Sequence, residues 1–136
     1  MKQLFLALNY LHQERMCHRN VKSENILCEP WDNEKDPIGP RVKLADFGFA
    51  TDLELDQETT KMTLGNRKYM APELINNSEK KAHNEKVDIW SAGVIAFVLL
   101  SNGSYPFPGT TKEQLDNAIH NEEPNMSQLS CTENAK

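Results

Sequence analysis

The feature that most constrains the fold is an apolar stretch in the second half of the chain. Past Val87 the residues are apolar on nearly every side, and the longest uninterrupted apolar run extends from Val94 to Leu100. A helix of this kind has to be buried on most of its sides, and the run is far shorter than the roughly 20 residues that cross a bilayer. We therefore expect a buried helix from about Lys86 to Leu100 in a single domain of 136 residues.

Two other patterned segments precede this helix. Leucines recur at helical spacing between residues 4 and 11, which predicts an amphipathic helix from about Lys2 to His12. Residues 25–28 and 41–45 have the apolar content and alternation of two short strands. A connection rich in proline, aspartate, asparagine and glycine separates them, so we expect a β-hairpin with a long loop.

Loop and capping residues predict where the remaining helices and loops begin and end. Residues 51–61 are polar and without periodicity, which predicts a surface loop. A proline in the first turn is favourable for a short helix over Ala71–Ile75, and Asn84 can cap the long apolar helix. Thr111 and Gln114 form a capping box that opens a helix to about Asn121. The predicted fold class is mainly α with a small β-hairpin.

Charge and cysteine content exclude several classes of function. The net charge is −5, and the lysines and arginines form no basic stripe beyond short pairs such as Lys80-Lys81, which disfavours a nucleic-acid binder. The three cysteines are odd in number and have neither metal-site nor disulfide spacing. Reduced thiols predict a cytoplasmic or nuclear protein. We expect no membrane partner, because the apolar N-terminus is too short for a signal peptide and lacks a cleavage site.

Three short motifs occur in a fixed order along the chain. They are His18-Arg19-Asn20-Val21-Lys22-Ser23-Glu24-Asn25, Asp46-Phe47-Gly48 and Ala71-Pro72-Glu73. Together, with a predicted hairpin between the first two, they resemble the eukaryotic protein kinase signature H-R-D-L-x-x-x-N, D-F-G and A-P-E. Lys22 lies two residues after Asn20, the third residue of the first motif, as in serine/threonine kinases. The resemblance covers roughly residues 1–120 and implies the C-terminal lobe of a protein kinase.

The resemblance implies a role for each motif residue. In the family, phosphoryl transfer depends on positioning and charge stabilisation, with ATP and Mg²⁺ as cofactors. Asn25 and Asp46 would bind the nucleotide-associated Mg²⁺, which prefers oxygen ligands. Lys22 would neutralise the charge on the transferred phosphate. A carboxylate at position 20 would orient the substrate hydroxyl and accept its proton.

This chain departs from the family pattern at that position. Asn20 is close to aspartate in shape, but its carboxamide is neutral and has no useful basicity. General-base catalysis contributes roughly 10²–10⁴-fold in rate, so we predict absent or very weak phosphotransfer. Asn66 is a second departure, because related serine/threonine kinases usually have threonine there.

Other positions imply regulation and structural support. Arg19 would pair with a phosphate on the activation loop, where Thr63 is the first candidate acceptor. Asp88 would bond the catalytic-loop backbone, and Glu73 would normally pair with a distant arginine. Tyr105-Pro106-Phe107-Pro108-Gly109 is similar to a turn in calmodulin-dependent-type kinases.

The kinase signature also contains a glycine-rich loop, a strand lysine and a helix glutamate, and this sequence has none of them. We therefore expect a partial kinase domain over residues 1–136, incomplete at both ends and without the N-lobe. Part of the apolar helix surface would then be exposed as a partner site. Three hypotheses remain open: a non-catalytic module that binds a protein, such as a substrate-like segment or another kinase lobe; a fragment of a longer ATP-binding kinase or pseudokinase; and an active kinase.

Overall fold

The computed structural model is a mainly helical unit with two small antiparallel sheets, in agreement with the predicted content. The residues that the structure describes are 1–30, 39–55, 65–75 and 84–129. The helices are α1 (Lys2–Gln13), α2 (Pro72–Ile75), α3 (Lys86–Leu100) and α4 (Lys112–Asn121). The strands are β1 (Met16–Cys17), β2 (Ile26–Cys28), β3 (Val42–Leu44) and β4 (Thr51–Asp52).

Helix α3 is the long apolar helix that the sequence predicts, with the same bounds. Its start is capped by Asn84, whose Oδ1 accepts a hydrogen bond from the Lys86 amide at 3.0 Å. It ends where Asn102 and Gly103 adopt positive φ angles and the Gly103 amide bonds the Val98 carbonyl at 2.8 Å. Across the described residues, none of the helices has both the length and the apolar character to span a membrane.

The core forms around α3. Helix α1 packs its leucine face against it, so that Leu4 and Leu8 join a cluster with Ala92, Ile95 and other side chains. Helix α4 contributes a second group of buried side chains around Phe107. Trp90 on α3 contacts both groups, and its ring stacks on Phe107 at a centroid distance of 5.8 Å. Trp90 of α3 thus links the packing around α1 to the packing around α4.

Part of α3 remains exposed, as the sequence leads us to expect. Ile89, Leu99 and Leu100 are 43%, 65% and 39% exposed. A groove of about 240 Å³ also opens along the helix beside Trp90 and Phe97, and its walls are almost entirely apolar. The described part of the chain therefore buries most of α3 and leaves an apolar strip uncovered.

Strands β2 and β3 form the predicted hairpin. They pair antiparallel with Ile26 opposite Leu44 and Cys28 opposite Val42. The Gln3 side chain of α1 accepts a hydrogen bond from the Val42 amide at 2.8 Å. This contact fixes the hairpin against the first helix. Residues 31–38 of the connecting loop lie outside the described residues.

The prediction of a surface loop over residues 51–61 is wrong at its start. Thr51 is buried, and Thr51–Asp52 forms β4 antiparallel to β1. The Leu53 amide continues the pairing by donating to the Arg15 carbonyl at 2.9 Å. Two-residue strands are too short to show a period of two, so the alternation pattern could not reveal them. Residues 56–61 of the predicted loop are outside the described range.

We predict that Leu8→Ala lowers the free energy of unfolding by about 2–5 kcal/mol, because Leu8 is fully buried at the α1–α3 contact. Leu6→Ala is the matched control on the same helix, since Leu6 is 59% exposed, and we expect a change within about 0.5 kcal/mol. Urea unfolding followed by circular dichroism measures both. Equal losses would contradict the packing of α1 on α3.

Candidate active site

The candidate site is organised by Asp88, the third residue of α3. Its carboxylate is buried and accepts hydrogen bonds from the backbone amides of His18 and Arg19, both at 2.8 Å. The His12 Nε2 lies 2.9 Å from the same carboxylate, and the Cys17 thiol donates to it at 3.4 Å. Burial raises the pKa of the Cys17 thiol. Asp88 thus ties the segment after β1 to the central helix.

His18 connects this segment to the D-F-G motif. Its Nδ1 accepts from the Asn20 backbone amide at 3.3 Å, and its Nε2 lies 3.1 Å from the Ala45 carbonyl. An amide only donates and a carbonyl only accepts, so Nε2 carries the proton and the ring is neutral. Burial lowers the pKa of His18, which agrees with this state. The ring also contacts Phe47 edge-on, with centroids 4.8 Å apart.

The two residues of the predicted cofactor site, Asn25 and Asp46, lie together with Asn20 of the predicted catalytic position. The Asn20 Nδ2 donates to the Asp46 Oδ2 at 2.7 Å. The Asn25 Nδ2 donates to the Asn20 backbone carbonyl at 2.8 Å and lies 3.4 Å from the Asp46 Oδ2. Asn20 and Asn25 are buried, whereas Asp46 is exposed. The hairpin brings them together, because Asn25 immediately precedes β2 and Asp46 lies two residues after β3.

The oxygen atoms at this site fit a hard divalent cation only in part. Asp46 offers a carboxylate, and Asn25 can offer its Oδ1, because its Nδ2 is used as a donor. Carboxylate and amide oxygens are suitable Mg²⁺ ligands. Asn20 does not fit this scheme, because it directs an N–H group at the Asp46 Oδ2.

Arg19 adopts a left-handed conformation with φ of 61°. Its side chain is buried, and its Nε donates to the Phe49 carbonyl at 2.6 Å. The carbonyl of Arg19 closely approaches Gly65, where an added Cβ would lie 3.2 Å from it, and Gly65 itself has φ of +105°. Glycine is therefore required at this approach. Thr63, the predicted phosphate acceptor, lies outside the described residues.

The remaining predicted positions lie around this centre. Lys22 is half-buried, and its carbonyl accepts from the Asn25 amide at 3.0 Å. Asn66 uses its side chain to cap its own turn, accepting from the Lys68 amide at 3.1 Å. Asn20 and Asn66 nevertheless line the same small cavity of about 10 Å³. Glu73 is exposed in the first turn of α2.

Sequence patterns missed a hydroxyl cluster beside the site. The Tyr69 hydroxyl lies 3.1 Å from the Ser23 Oγ and 3.2 Å from the Tyr105 hydroxyl. The hydrogen bond with Tyr69 raises the pKa of Tyr105 to about 12. The Lys68 ammonium lies over the Tyr105 ring, 4.4 Å from its centroid. Ser23, the Lys68-Tyr69 pair and Tyr105 are far apart in sequence and share no motif, so no local signal predicts their contact.

We predict that Asp88→Asn lowers the free energy of unfolding by about 3 kcal/mol, because an amide NH₂ group would face buried backbone donors and leave at least one unsatisfied. Asp52→Asn is the matched control. Asp52 also accepts from two backbone amides, those of Glu54 and Leu55, but in an exposed turn. We expect about 1 kcal/mol or less there. Urea unfolding measures both, and equal effects would argue against the anchoring role of Asp88.

We also predict an acid-sensitive stability that depends on His18. Its pKa in the folded state lies below the ordinary 6.5, so the unfolded state binds more protons once the pH falls through that value. Stability is then lost towards lower pH, by up to about 1.4 kcal/mol per pH unit from this group. The free energy of unfolding at pH 7.5 and 5.5 measures the effect.

Two substitutions test the assignment of that pH effect. His18→Gln should reduce the loss between pH 7.5 and 5.5, and His120→Gln, at an exposed position on α4, is the comparison variant. An undiminished loss in His18→Gln would mean that His18 is not the group responsible. A titration of the His18 ring by NMR in the unsubstituted chain gives the same answer if the variant does not fold.

Comparison with known proteins agrees with the motif order. The family model described as protein kinase domain matches residues 1–136. The DNA damage response protein kinase DUN1 of Saccharomyces cerevisiae is 39% identical over 132 residues, which cover 84% of this chain and 24% of that protein. The serine/threonine-protein kinase PEPKR2 of Arabidopsis thaliana is 37% identical, over 88% of this chain and 23% of that protein.

A third relative is calcium-dependent protein kinase 4 of Plasmodium falciparum, which is 38% identical over 82% of this chain and 19% of that protein. The chain spans about a fifth to a quarter of the length of these relatives. Motifs, site geometry and relatives agree with one another, and the chain therefore belongs to the eukaryotic protein kinase family, in its serine/threonine branch.

Proposed function

We propose that residues 1–136 are the C-terminal lobe portion of a serine/threonine protein kinase homologue whose phosphotransfer activity is absent or very weak. The motifs present are those that belong to this lobe in the family: the catalytic loop, D-F-G and A-P-E. Helix α3 and its apolar surroundings provide the scaffold, and Asp88 holds the loop that carries the catalytic position.

The observation that carries the proposal is the hydrogen bond from the Asn20 Nδ2 to the Asp46 Oδ2, 2.7 Å long. The group at the proton-acceptor position is a donor towards the neighbouring carboxylate. A carboxamide cannot take the proton of a substrate hydroxyl at neutral pH. Without that acceptor the chemical step loses the contribution of a general base, roughly 10²–10⁴-fold.

The family resemblance extends to cofactors. We propose Asn25 and Asp46 as the residues that would bind Mg²⁺ together with ATP, and Lys22 as the cation that would face the transferred phosphate. Magnesium supplies charge neutralisation at the phosphates when it is bound. Arg19 is proposed as the partner of a phosphate on Thr63. Asp88 and Glu73 are proposed as structural supports.

A second candidate function is a non-catalytic protein-binding module. The exposed apolar strip of α3 and the adjoining groove of about 240 Å³ favour it, because contiguous apolar surface marks interaction sites on proteins. The partner would be a protein, either a substrate-like segment or another kinase lobe. The same surface would be covered internally if the chain is part of a longer kinase or pseudokinase.

The size of the native polypeptide separates these two situations. An antibody raised against a peptide with the sequence of residues 31–40 is used on an immunoblot of source cells. A band near 15.5 kDa favours the isolated binding module. A band at twice that size or more means that further kinase elements are present, and phosphotransfer should be measured on that longer polypeptide.

We predict that the native polypeptide transfers no measurable phosphate from Mg-ATP to a generic serine/threonine substrate. Asn20→Asp restores the missing proton acceptor and should raise the rate by up to roughly 10²–10⁴-fold when the rest of the kinase domain is present. A radiolabelled transfer assay measures both. Asp46→Ala in the same preparation is the control for contaminating kinase, which the substitution does not affect. Transfer by the unsubstituted protein that Asp46→Ala abolishes would contradict the proposal.

A further inference from the structure

Three hydrogen bonds hold Asn20 with its carboxamide facing Asp46. Its backbone amide donates to the His18 Nδ1 at 3.3 Å, and its carbonyl accepts from the Asn25 Nδ2 at 2.8 Å. Its own Nδ2 donates to the Asp46 Oδ2 at 2.7 Å. The reversed amide would set the Asn20 oxygen against a carboxylate oxygen, which is repulsive. The contact therefore requires the NH₂ group to face Asp46.

Asp46 needs such a contact because of its backbone. It adopts a left-handed conformation with φ of 63° and ψ of 73°, which is uncommon outside glycine and persists only where surrounding groups hold it. Its carboxylate accepts from Asn20 at 2.7 Å, and from Asn25 and the Gly48 amide at 3.4 Å each. The Asn20 amide is thus the shortest of these three contacts on the Asp46 side chain.

We propose that the Asn20 carboxamide takes the place of a divalent cation at Asp46, so that the D-F-G segment is held in position without metal. This inference rests on the proposed assignment of Asn20 to the proton-acceptor position of the family. Two carboxylates at this separation repel each other unless a cation or a proton lies between them. A neutral amide donates a hydrogen bond to the Asp46 carboxylate without repelling it. Asn20 is therefore a positioning residue for Asp46.

The arrangement has a consequence for metal binding. A cation that coordinates the Asp46 Oδ2 must displace the Asn20 N–H group, and the neutral carboxamide offers no negative charge in exchange. Within the described segments, no group of three or more histidine, cysteine, aspartate or glutamate side chains offers an alternative site. Cation affinity rises with the negative charge close to the site, so it should be low here and should rise when Asn20 becomes aspartate.

Binding of Mn²⁺, a paramagnetic substitute for Mg²⁺, tests this consequence. Free Mn²⁺ is measured by electron paramagnetic resonance as the unsubstituted native polypeptide or a variant is titrated. Asn20→Asp should bind Mn²⁺ roughly tenfold or more tightly than the unsubstituted protein. Asn66→Asp is the matched control, because it adds the same charge beside the same cavity while the side chain at position 66 caps its own turn. It should leave the affinity unchanged.

Thermal unfolding gives an independent measurement of the positioning role. With chelator, Asn20→Asp should melt at a lower temperature than the unsubstituted protein, because its two carboxylates repel, and millimolar Mn²⁺ should reverse the loss. The unsubstituted protein should melt at the same temperature with chelator and with Mn²⁺.

If Asn20→Asp does not fold, Asn20→Ala serves instead. It removes the amide without adding charge and should bind Mn²⁺ several-fold more tightly than the unsubstituted protein.

The proposal is overturned if the unsubstituted protein binds Mn²⁺ as tightly as the variants at position 20. It is also overturned if Asn66→Asp tightens binding as much as Asn20→Asp, because the effect would then be a general one of added charge. These outcomes are distinct from those of the phosphotransfer assay. Transfer by the unsubstituted protein would contradict the proposed inactivity while leaving the comparison of Mn²⁺ affinities intact.

Discussion

The buried carboxylate of Asp88 is the interaction on which the site depends. A carboxylate that is 1% exposed is tolerated only when hydrogen bonds replace its lost hydration. The backbone amides of His18 and Arg19 supply two of them. Both amides have to point at one side chain, which bends the chain sharply, and Arg19 takes a positive φ there. The bend fixes the directions in which His18 and Asn20 leave the backbone.

The second constraint is the pairing between Asn20 and Asp46. A carboxylate at position 20 would leave two negative groups within hydrogen-bonding distance, and such a site is stable only with a cation or a proton between them. The amide removes this requirement, since it donates to Asp46 and leaves no repulsion to neutralise. One change from oxygen to nitrogen therefore removes the proton acceptor and also reduces the need for the metal. The proposed loss of phosphotransfer and the proposed metal-independent arrangement have the same physical cause.

The sequence predicts the helices that have a long apolar stretch or a capping motif. Helix α3 follows from its apolar run, and α4 from the capping box at Thr111, which the structure contains. The motif residues Asn20, Asn25 and Asp46 were identified through the resemblance to the kinase motifs, and in the structure the hairpin brings them together. The β1–β4 pairing was not predictable, since two-residue strands have no period. The direction of the Asn20 amide was not predictable either, because it depends on which atom of Asp46 it faces.

The two ends of α3 have separate tasks. Asp88 at its start holds the site, whereas Leu99 near its end is exposed together with part of the apolar strip. Along a helix these residues are about 16 Å apart, which is far beyond direct contact. A partner on the exposed end can therefore stabilise α3 as a unit without touching a group of the site. The contacts of Asp88 and the exposed surface around Leu99 are therefore separate features of one helix.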